Sequence, residues 1–557
     1  MKLSYRYRGR SAVVNGLSTA RVAFATNTLR EATYFKGQLE SPLVLREGLA
    51  ALYDVVVSDF RYHPRDITAF RAWLEEQDKR FLANLGLKSE DVRAKLEKLE
   101  ARLDELDRAR LDRMKPFHAA RHRYFDWAYE NQYELAMILD PVITVHPDEL
   151  SFEAFSRDES SYARLATRYD IFSKVEAFEC GTTNIDFSAG LHDQFDRMRS
   201  YRETRFDVDP GGFTSAAETS EHREKKIDLP DSWPMGFLQV QSVMSMGLTH
   251  FRMAPVDLFN ICRRLRLRRA KTSPRALRYE LIPGEPVRVV LEPWEEVIEL
   301  DASSRWDGKP DTIRTWGRDR LRTLSRLLPA ARTVDVYLAG FGMPSFYVLD
   351  LGDVLFTLGL SGWTDNDWTS DAGKFDLLQR RMDVSESDLS RVHEALSAKR
   401  LSTASNLSVA TGLDTDKVRS SLGYLCQVGR AMYDLGSGVY RQRELFLEPF
   451  KVSVAELEKA AEKGNPQAER ARAILEAGNV RVIARRPVKD GFKLSGSARG
   501  ESGERVRPLL HVDEAGSLIT ASCGCPFYNK HKLTQGPCEH ILALRLVHMD
   551  WLESQGE

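Results

Sequence analysis

Three cysteines and a histidine, Cys523, Cys525, Cys538 and His540, crowd into the stretch SCGCPFYNKHKLTQGPCEH at 522–540. Thiolates and a neutral imidazole are the donors that zinc prefers. Cys523 and Cys525 can face one ion if the chain turns sharply between them; Gly524 permits that turn and Pro526 stiffens its exit. After twelve intervening residues, Cys538 and His540 repeat the one-residue spacing. Three sulfurs and one ring nitrogen complete a tetrahedron and leave no position for water, so the expected occupant is one structural Zn2+ and the site is not catalytic. His531 and His548 are nearby spares, and His531 is the alternative fourth ligand.

The elements that must position these donors are legible on both sides. VRVIARRPV, GFKLSGSA, VRPLLHVD and GSLITASC read as short strands separated by turn residues, and the last delivers Cys523. ILALRLVHMDWL reads as a helix, which places Cys538 and His540 at its entry. The pattern C-x-C-x12-C-x-H, with strands before it and a helix after it, resembles the SWIM zinc finger over roughly 478–550. That resemblance implies a zinc-stabilised module that binds DNA or protein. Basic residues outnumber acidic ones across 481–507 but not across 521–557. Any nucleic-acid contact here is therefore expected on the sheet, with Arg485 and Arg486 as candidates, and not on the zinc helix.

Two further regions carry basic residues. ICRRLRLRRAKTSPRALRYE at 261–280 contains Arg263, Arg264, Arg266, Arg268, Arg269, Lys271, Arg275 and Arg278 against the lone Glu280. Such a stripe suits a phosphate backbone. Its other reading is a helix with Ile261, Leu265 and Leu267 turned inward and its arginines paired to the acidic run EPWEEVIELD at 292–301. Between 385 and 445, SESDLSRVHEALSAKR, SNLSVATG and TDKVRSSLGYLCQVG read as three helices, the third with Val418, Leu422 and Leu425 on one face, and RAMYDLGSGVYRQREL as two strands about a Gly-Ser-Gly turn. Three helices and a hairpin resemble a winged helix-turn-helix. In DNA-reading members the third helix enters the major groove. Here it opens on Asp414 and Asp416, which Lys417, Arg419, Arg430, Arg441 and Arg443 offset in part, so DNA reading and protein docking both stand. Cys426 reads as a core thiol.

The bulk properties frame these parts. A chain of 557 residues exceeds one hydrophobic core, and 42% hydrophobic with 29% charged residues is a globular composition. Six cysteines are too few for a disulfide scaffold. Lys and Arg number 80 against 81 Asp and Glu, so any attraction for nucleic acid must come from local patches. No long apolar span or signal-like start occurs, and a cytoplasmic protein is expected. The expected fold is α+β and multidomain. Mixed regions occupy 1–225 and 226–375, a winged helix 385–445, a helical connector 450–477, and the zinc finger on a small antiparallel sheet 478–557. Within the first region ALYDVVVSDF reads as strand. Leu96, Leu99, Leu103 and Leu106 mark a charged helical arm near 88–115, read as a hairpin arm ahead of an intermolecular coiled coil. Trp363 and Trp368, around Asp365, Asn366 and Asp367, form either a binding edge or a turn pinned to a core.

LREGLAALYDVVVSDFRY, FEAFSRDESSYARL, CGTTNIDFS, LPDSW, FYVLDLG and LSGWTDNDWT, together with the terminal finger, resemble a family of long bacterial SWIM zinc-finger proteins. The resemblance implies partners, a MoxR-type AAA+ ATPase and a von Willebrand A domain protein, since this chain has no G-x-x-x-x-G-K-[ST] loop of its own. No H-E-x-x-H or G-x-S-x-G motif occurs, and His146, Asp148 and Glu149 in VHPDEL are an ordinary coincidence of a histidine with carboxylates. The expected function is a non-enzymatic zinc-binding scaffold or adaptor that engages protein partners. The alternative is a DNA- or RNA-binding protein that uses the basic stripe, the wing and the SWIM sheet.

Overall fold

ELSFEAF alternates carboxylates with apolar residues, the pattern of a strand with one wet face. Every residue of strand Glu149–Phe155 is nevertheless buried. The computed structural model that shows this describes residues 4–7, 11–16, 18–30, 33–59, 141–185, 187, 195–209, 225–228, 232–268, 275–340, 343–362, 368, 384–446, 466–488, 491–500, 503–512, 518–533 and 537–556. The expected helical arm near 88–115, and Trp363, lie outside them. The fold is α+β, with several antiparallel sheets.

Glu149–Phe155 lies inside an eight-stranded antiparallel sheet ordered 249–253, 333–338, 345–350, 354–360, 161–168, 149–155, 142–145, 181–184. Val354–Leu360 pairs with residues 161–167, so the regions read separately as 1–225 and 226–375 build one sheet. Leu150, Phe152 and Ala154 point to one face, where Phe152 stands opposite Leu165. Helix Pro42–Val57 packs on this sheet, and Gly48 approaches Leu165 closely enough that a Cβ would lie 2.5 Å from its Cδ1. The run ALYDVVV therefore corrects the strand expectation, since it forms the last turns of this helix. Pro42 sits in the first turn, and Leu45, Leu49, Leu52 and Val56 recur at helical spacing and are buried. Their burial outweighs the weak helix preference of the valines.

Beside this sheet, residues 12–15, 19–25, 203–209, 34–39 and 172–179 form a mixed sheet in which 203–209 runs parallel to 19–25. Strands 296–299, 288–291, 277–281 and 311–315 form a four-stranded antiparallel sheet. Trp368 is buried against Phe346 and its backbone N–H donates to the Glu159 carbonyl at 2.8 Å, which fixes this residue to the core; Asp365, Asn366 and Asp367 lie outside the described residues. Among the described residues no helix is long and apolar enough to cross a membrane.

Residues 384–446 contain the three helices and hairpin read from the sequence: Glu386–Lys399, Ala404–Thr411, Thr415–Gln427, then strands Ala431–Asp434 and Val439–Gln442 joined by Leu401–Ser402. Ser385, Thr403 and Asp414 each accept a backbone N–H from the first turn of the helix they start. Val392, Leu396, Leu407, Val418, Leu422, Leu425 and Cys426 make a core of their own. Burial pushes the Cys426 thiol up to about 12, which keeps it protonated and inert.

The hairpin closes the other face of the large sheet, the one carrying Glu149, Ser151, Glu153, Tyr162 and Arg164. Arg443 donates to both oxygens of Glu153 at 2.7 Å, and Tyr162 donates to the same carboxylate at 2.7 Å. Arg441 bridges Asp148 at 2.7 Å, Glu149 at 3.1 Å and Asp434 at 3.0 Å, while Arg164 joins Glu149 and Asp434. Burial pushes the Asp434 carboxyl up, but Arg164 and Arg441 overcome it and hold the group well below the usual carboxylate range. Arg441 and Arg443, 2% and 1% exposed, are thus corrected from wing contacts for nucleic acid to interior ion-pair partners. Removing one member of such a pair leaves a buried charge alone, which costs about 3–5 kcal/mol. Glu153→Ala is expected to lower stability by about that much in urea unfolding, and a loss below about 1 kcal/mol would show the network to be dispensable.

Candidate metal centre

The C-terminal sheet runs 480–488, 491–499, 509–512, 518–522, with the short strand Arg505–Val506 on 491–499. Strand Leu518–Ser522 ends where Cys523 begins, and Cys525 starts helix Pro526–His531. The turn is tied by local bonds. Cys525 Sγ accepts the Tyr528 N–H at 3.4 Å, its carbonyl accepts the Asn529 N–H at 2.9 Å, and Tyr528 Oη donates to the Ala521 carbonyl at 2.7 Å. Cys538 precedes helix Glu539–Gly556, and its carbonyl accepts the Leu542 N–H at 3.1 Å. Gln467, from helix Pro466–Glu476, accepts the N–H of Glu539 at 3.3 Å and so steadies the entry of the second ligand pair.

Two glycines set how close the finger helix comes to the sheet. A Cβ on Gly496 would lie 2.5 Å from Leu544 Cδ1, and one on Gly500 would lie 2.8 Å from His540 Nε2. Leu544 and His540 are four apart on one helix face, so a bare strand beneath them lets the imidazole sit over the thiols.

The ligand atoms of Cys523, Cys525, Cys538 and His540 all lie within 4.8 Å of one another, and all four residues are buried. Two sulfurs on one zinc stand about 3.8 Å apart, so the set closes on an ion with small adjustments. Both ring nitrogens of His540 are buried without a protein hydrogen bond. A polar ring in that position needs a partner, and a metal supplies it. The thiol of Cys538 and the ring of His540 hold Cys523 well below the usual thiol range, so a thiolate is available to a cation. The donor set fits one structural zinc ion, whose chemistry is to cross-link strand end, turn and helix. His531 is outside the set, and its ring packs on Phe527 at 5.0 Å. The second spare, His548, accepts from Arg485 Nε through Nδ1 at 3.1 Å.

The basic candidates divide. Arg264 and Arg268 pair with Glu296 at 3.3 and 2.9 Å, and Arg278 pairs with Glu280, Glu292 and Glu295. The acidic run at 292–301 thus neutralises much of the stripe. Arg263 and Arg266 are exposed on helix Pro255–Leu267, while Arg269 and Lys271 lie outside the described residues. Ile261 and Leu265 are buried as expected, but Leu267 is 68% exposed because the helix ends there. Lys417 pairs with Asp388 at 3.8 Å and Arg419 with Asp416 at 3.1 Å.

On the finger sheet, Leu494, Gly496 and Ala498 are buried, and Gly496 meets the finger helix, which leaves Lys493, Ser495, Ser497 and Arg499 on the opposite face. Arg486 stands opposite Lys493, and Arg505 opposite Arg499. These four and Arg481 are exposed. Arg485 is turned the other way: its guanidinium lies 3.8 Å over the Trp551 ring, so it is a packing residue of the finger helix.

Cys523→Ser and Cys538→Ser are each expected to release zinc, read by metal analysis, and to unfold residues beyond about 478, read by hydrogen exchange, while the rest stays protected; stoichiometric zinc in either variant would refute the assignment. Gly500→Ala, which crowds the His540 ring at Nε2 without removing any ligand residue, is expected to weaken zinc affinity by about 10- to 100-fold in chelator competition.

Comparison with curated proteins found no match. Among solved structures, a crystal structure of proliferating cellular nuclear antigen from Entamoeba histolytica is similar over 42% of this chain and 92% of that one, at 10% identity and a TM-score of 0.29. The family model of the SWIM zinc finger matches residues 511–546, which include all four donors. The C-terminal module of this chain, with its three thiols and one imidazole around a single metal position, is a SWIM zinc finger.

Proposed function

We propose that this chain is a non-enzymatic, zinc-bearing scaffold in which residues 385–445 are a winged helix used for docking and the SWIM finger presents a basic face to a protein partner. The observation that carries this reading is the burial of the surfaces by which a winged helix would read DNA. The hairpin arginines Arg441 and Arg443 are paired inside the protein. Helix Thr415–Gln427 packs against helix Ser232–Met244, and its Ser420, Ser421 and Tyr424 are buried. Gln241, from helix Ser232–Met244, accepts the N–H of Tyr433 at 2.6 Å and so covers the edge strand of the hairpin. With its wing arginines interior and its third helix covered in part by Ser232–Met244, although Arg419 stays exposed, the module suits a joint within the chain.

What remains for a partner is the finger sheet. Like charges directly opposite one another destabilise a sheet, and here Arg486 faces Lys493 and Arg499 faces Arg505. A basic face of this kind gains from an acidic partner. The resemblance to long bacterial SWIM proteins points to an ATPase of the MoxR type and a von Willebrand A domain protein as that partner system, in the cytoplasm. The same face favours a second reading, in which the acidic partner is DNA or RNA.

Fluorescence anisotropy of the zinc-loaded protein with single- and double-stranded DNA and RNA, at about 50 and 200 mM salt, separates the two. Five phosphate contacts would make affinity fall about 500-fold across that range. The scaffold reading expects no binding at the lower salt and co-elution with the purified ATPase or its companion. Tight binding with that slope, abolished by Arg486→Glu with Lys493→Glu, would overturn it in favour of nucleic acid.

A further inference from the structure

We propose that the cavity between residues 385–445 and the ends of strands Val142–Val145 and Gly181–Asn184 binds a small phosphorylated ligand of mononucleotide type. The cavity has a volume of about 540 Å³, within the ordinary range for small-molecule sites. Three guanidiniums reach it from separate segments: Arg30, Arg400 and Arg430. Arg30 is anchored on the carbonyls of Thr182, Glu444 and Leu445, which fixes its charge at the wall. Arg430 Nε is buried without a hydrogen-bond partner.

Two further observations point to a ligand. His146 lines the cavity and is 2% exposed, and its Nε2 has no hydrogen-bond partner. A buried ring nitrogen in that state is ready to meet a polar group in the space it borders. Arg400 holds a φ of 64°, a conformation in the left-handed region that glycine adopts freely and arginine does not. Its side chain lines the cavity and donates to Gln442 Oε1 at 2.7 Å. Backbone strain at a residue that places a guanidinium in a cavity is the kind that functional sites retain.

The acids at the wall do not cancel this charge. Glu179 is exposed, and Glu444 lies 3.7 Å from His393. Planar guanidiniums suit phosphate oxygens, which accept two donors at a time. Pro147 and Phe446 supply apolar wall for a base or sugar. Because the lining comes from both the large sheet and residues 385–445, a bound ligand would tie the two together.

The test is calorimetric titration of the full-length zinc-loaded protein with inorganic phosphate, pyrophosphate and the four common nucleoside monophosphates, with succinate as the carboxylate control. At least one phosphate probe is expected to bind saturably at one per chain and succinate is not. Arg400→Gly keeps the backbone conformation and removes the guanidinium, so it is expected to retain zinc and fold while weakening the phosphate probe about tenfold or more. Arg430→Met, alone or combined with Arg400→Gly as a double variant, is expected to do the same. Absence of binding by every phosphate probe, equal binding of succinate, or wild-type affinity in the double variant would overturn the proposal.

Discussion

The ion pairs that Arg441 and Arg443 make with Glu149, Glu153 and Asp434 are the constraint on which the arrangement of this chain depends. Helix Pro42–Val57 covers one face of the eight-stranded sheet and the hairpin covers the other. Carboxylates on a doubly covered strand have no water, and only opposite charge of good geometry can hold them there. The hairpin brings that charge from 290 residues away. Bidentate contacts also fix direction, so they set where the hairpin lies and therefore where the three helices behind it sit. Arg30 reinforces this by holding the hairpin exit through the carbonyls of Glu444 and Leu445.

The C-terminal module is held by a different principle. Its sheet is small, and several of its strand residues are exposed on one face. A core of Leu494, Ala498, Leu510, Ile541 and Leu544 is completed by Cys523, Cys525 and Cys538. Small modules of this kind gain from a metal cross-link what they lack in buried area. The interior of the large body relies on charge matched to charge, and the finger on soft donors matched to a cation.

The finger was legible because its information is local. Four donors at one-residue spacings, a glycine between two of them and a helix behind the others define the chemistry without any distant residue. The helices of 385–445 were legible for a similar reason, since Ser385, Thr403 and Asp414 cap them and their apolar positions recur at helical intervals. Arg441 and Arg443 were not. An arginine on a strand reads as solvent-facing until a carboxylate is known to lie above it, and Glu153 sits far back in the chain. The signal that existed was the polar series Glu149, Ser151 and Glu153 at alternate positions of ELSFEAF, with Arg164 in SYARLATR, in strands that are buried except for Arg168. Helix Pro42–Val57 was missed because its closing valines favour strand in isolation and its contact with Leu165 is long-range.

The pairing of Val354–Leu360 with residues 161–167 has a consequence during synthesis. The earlier strand leaves the ribosome roughly 190 residues before its neighbour, a delay of about 10–40 s at ordinary elongation rates. For that interval it presents a bare edge to the cell. Glu149 and Glu153 wait longer still for the hairpin arginines. The nascent chain therefore carries a half-built sheet with its acids unpaired, and completing the body depends on keeping that edge apart from other chains until the last quarter of the protein arrives.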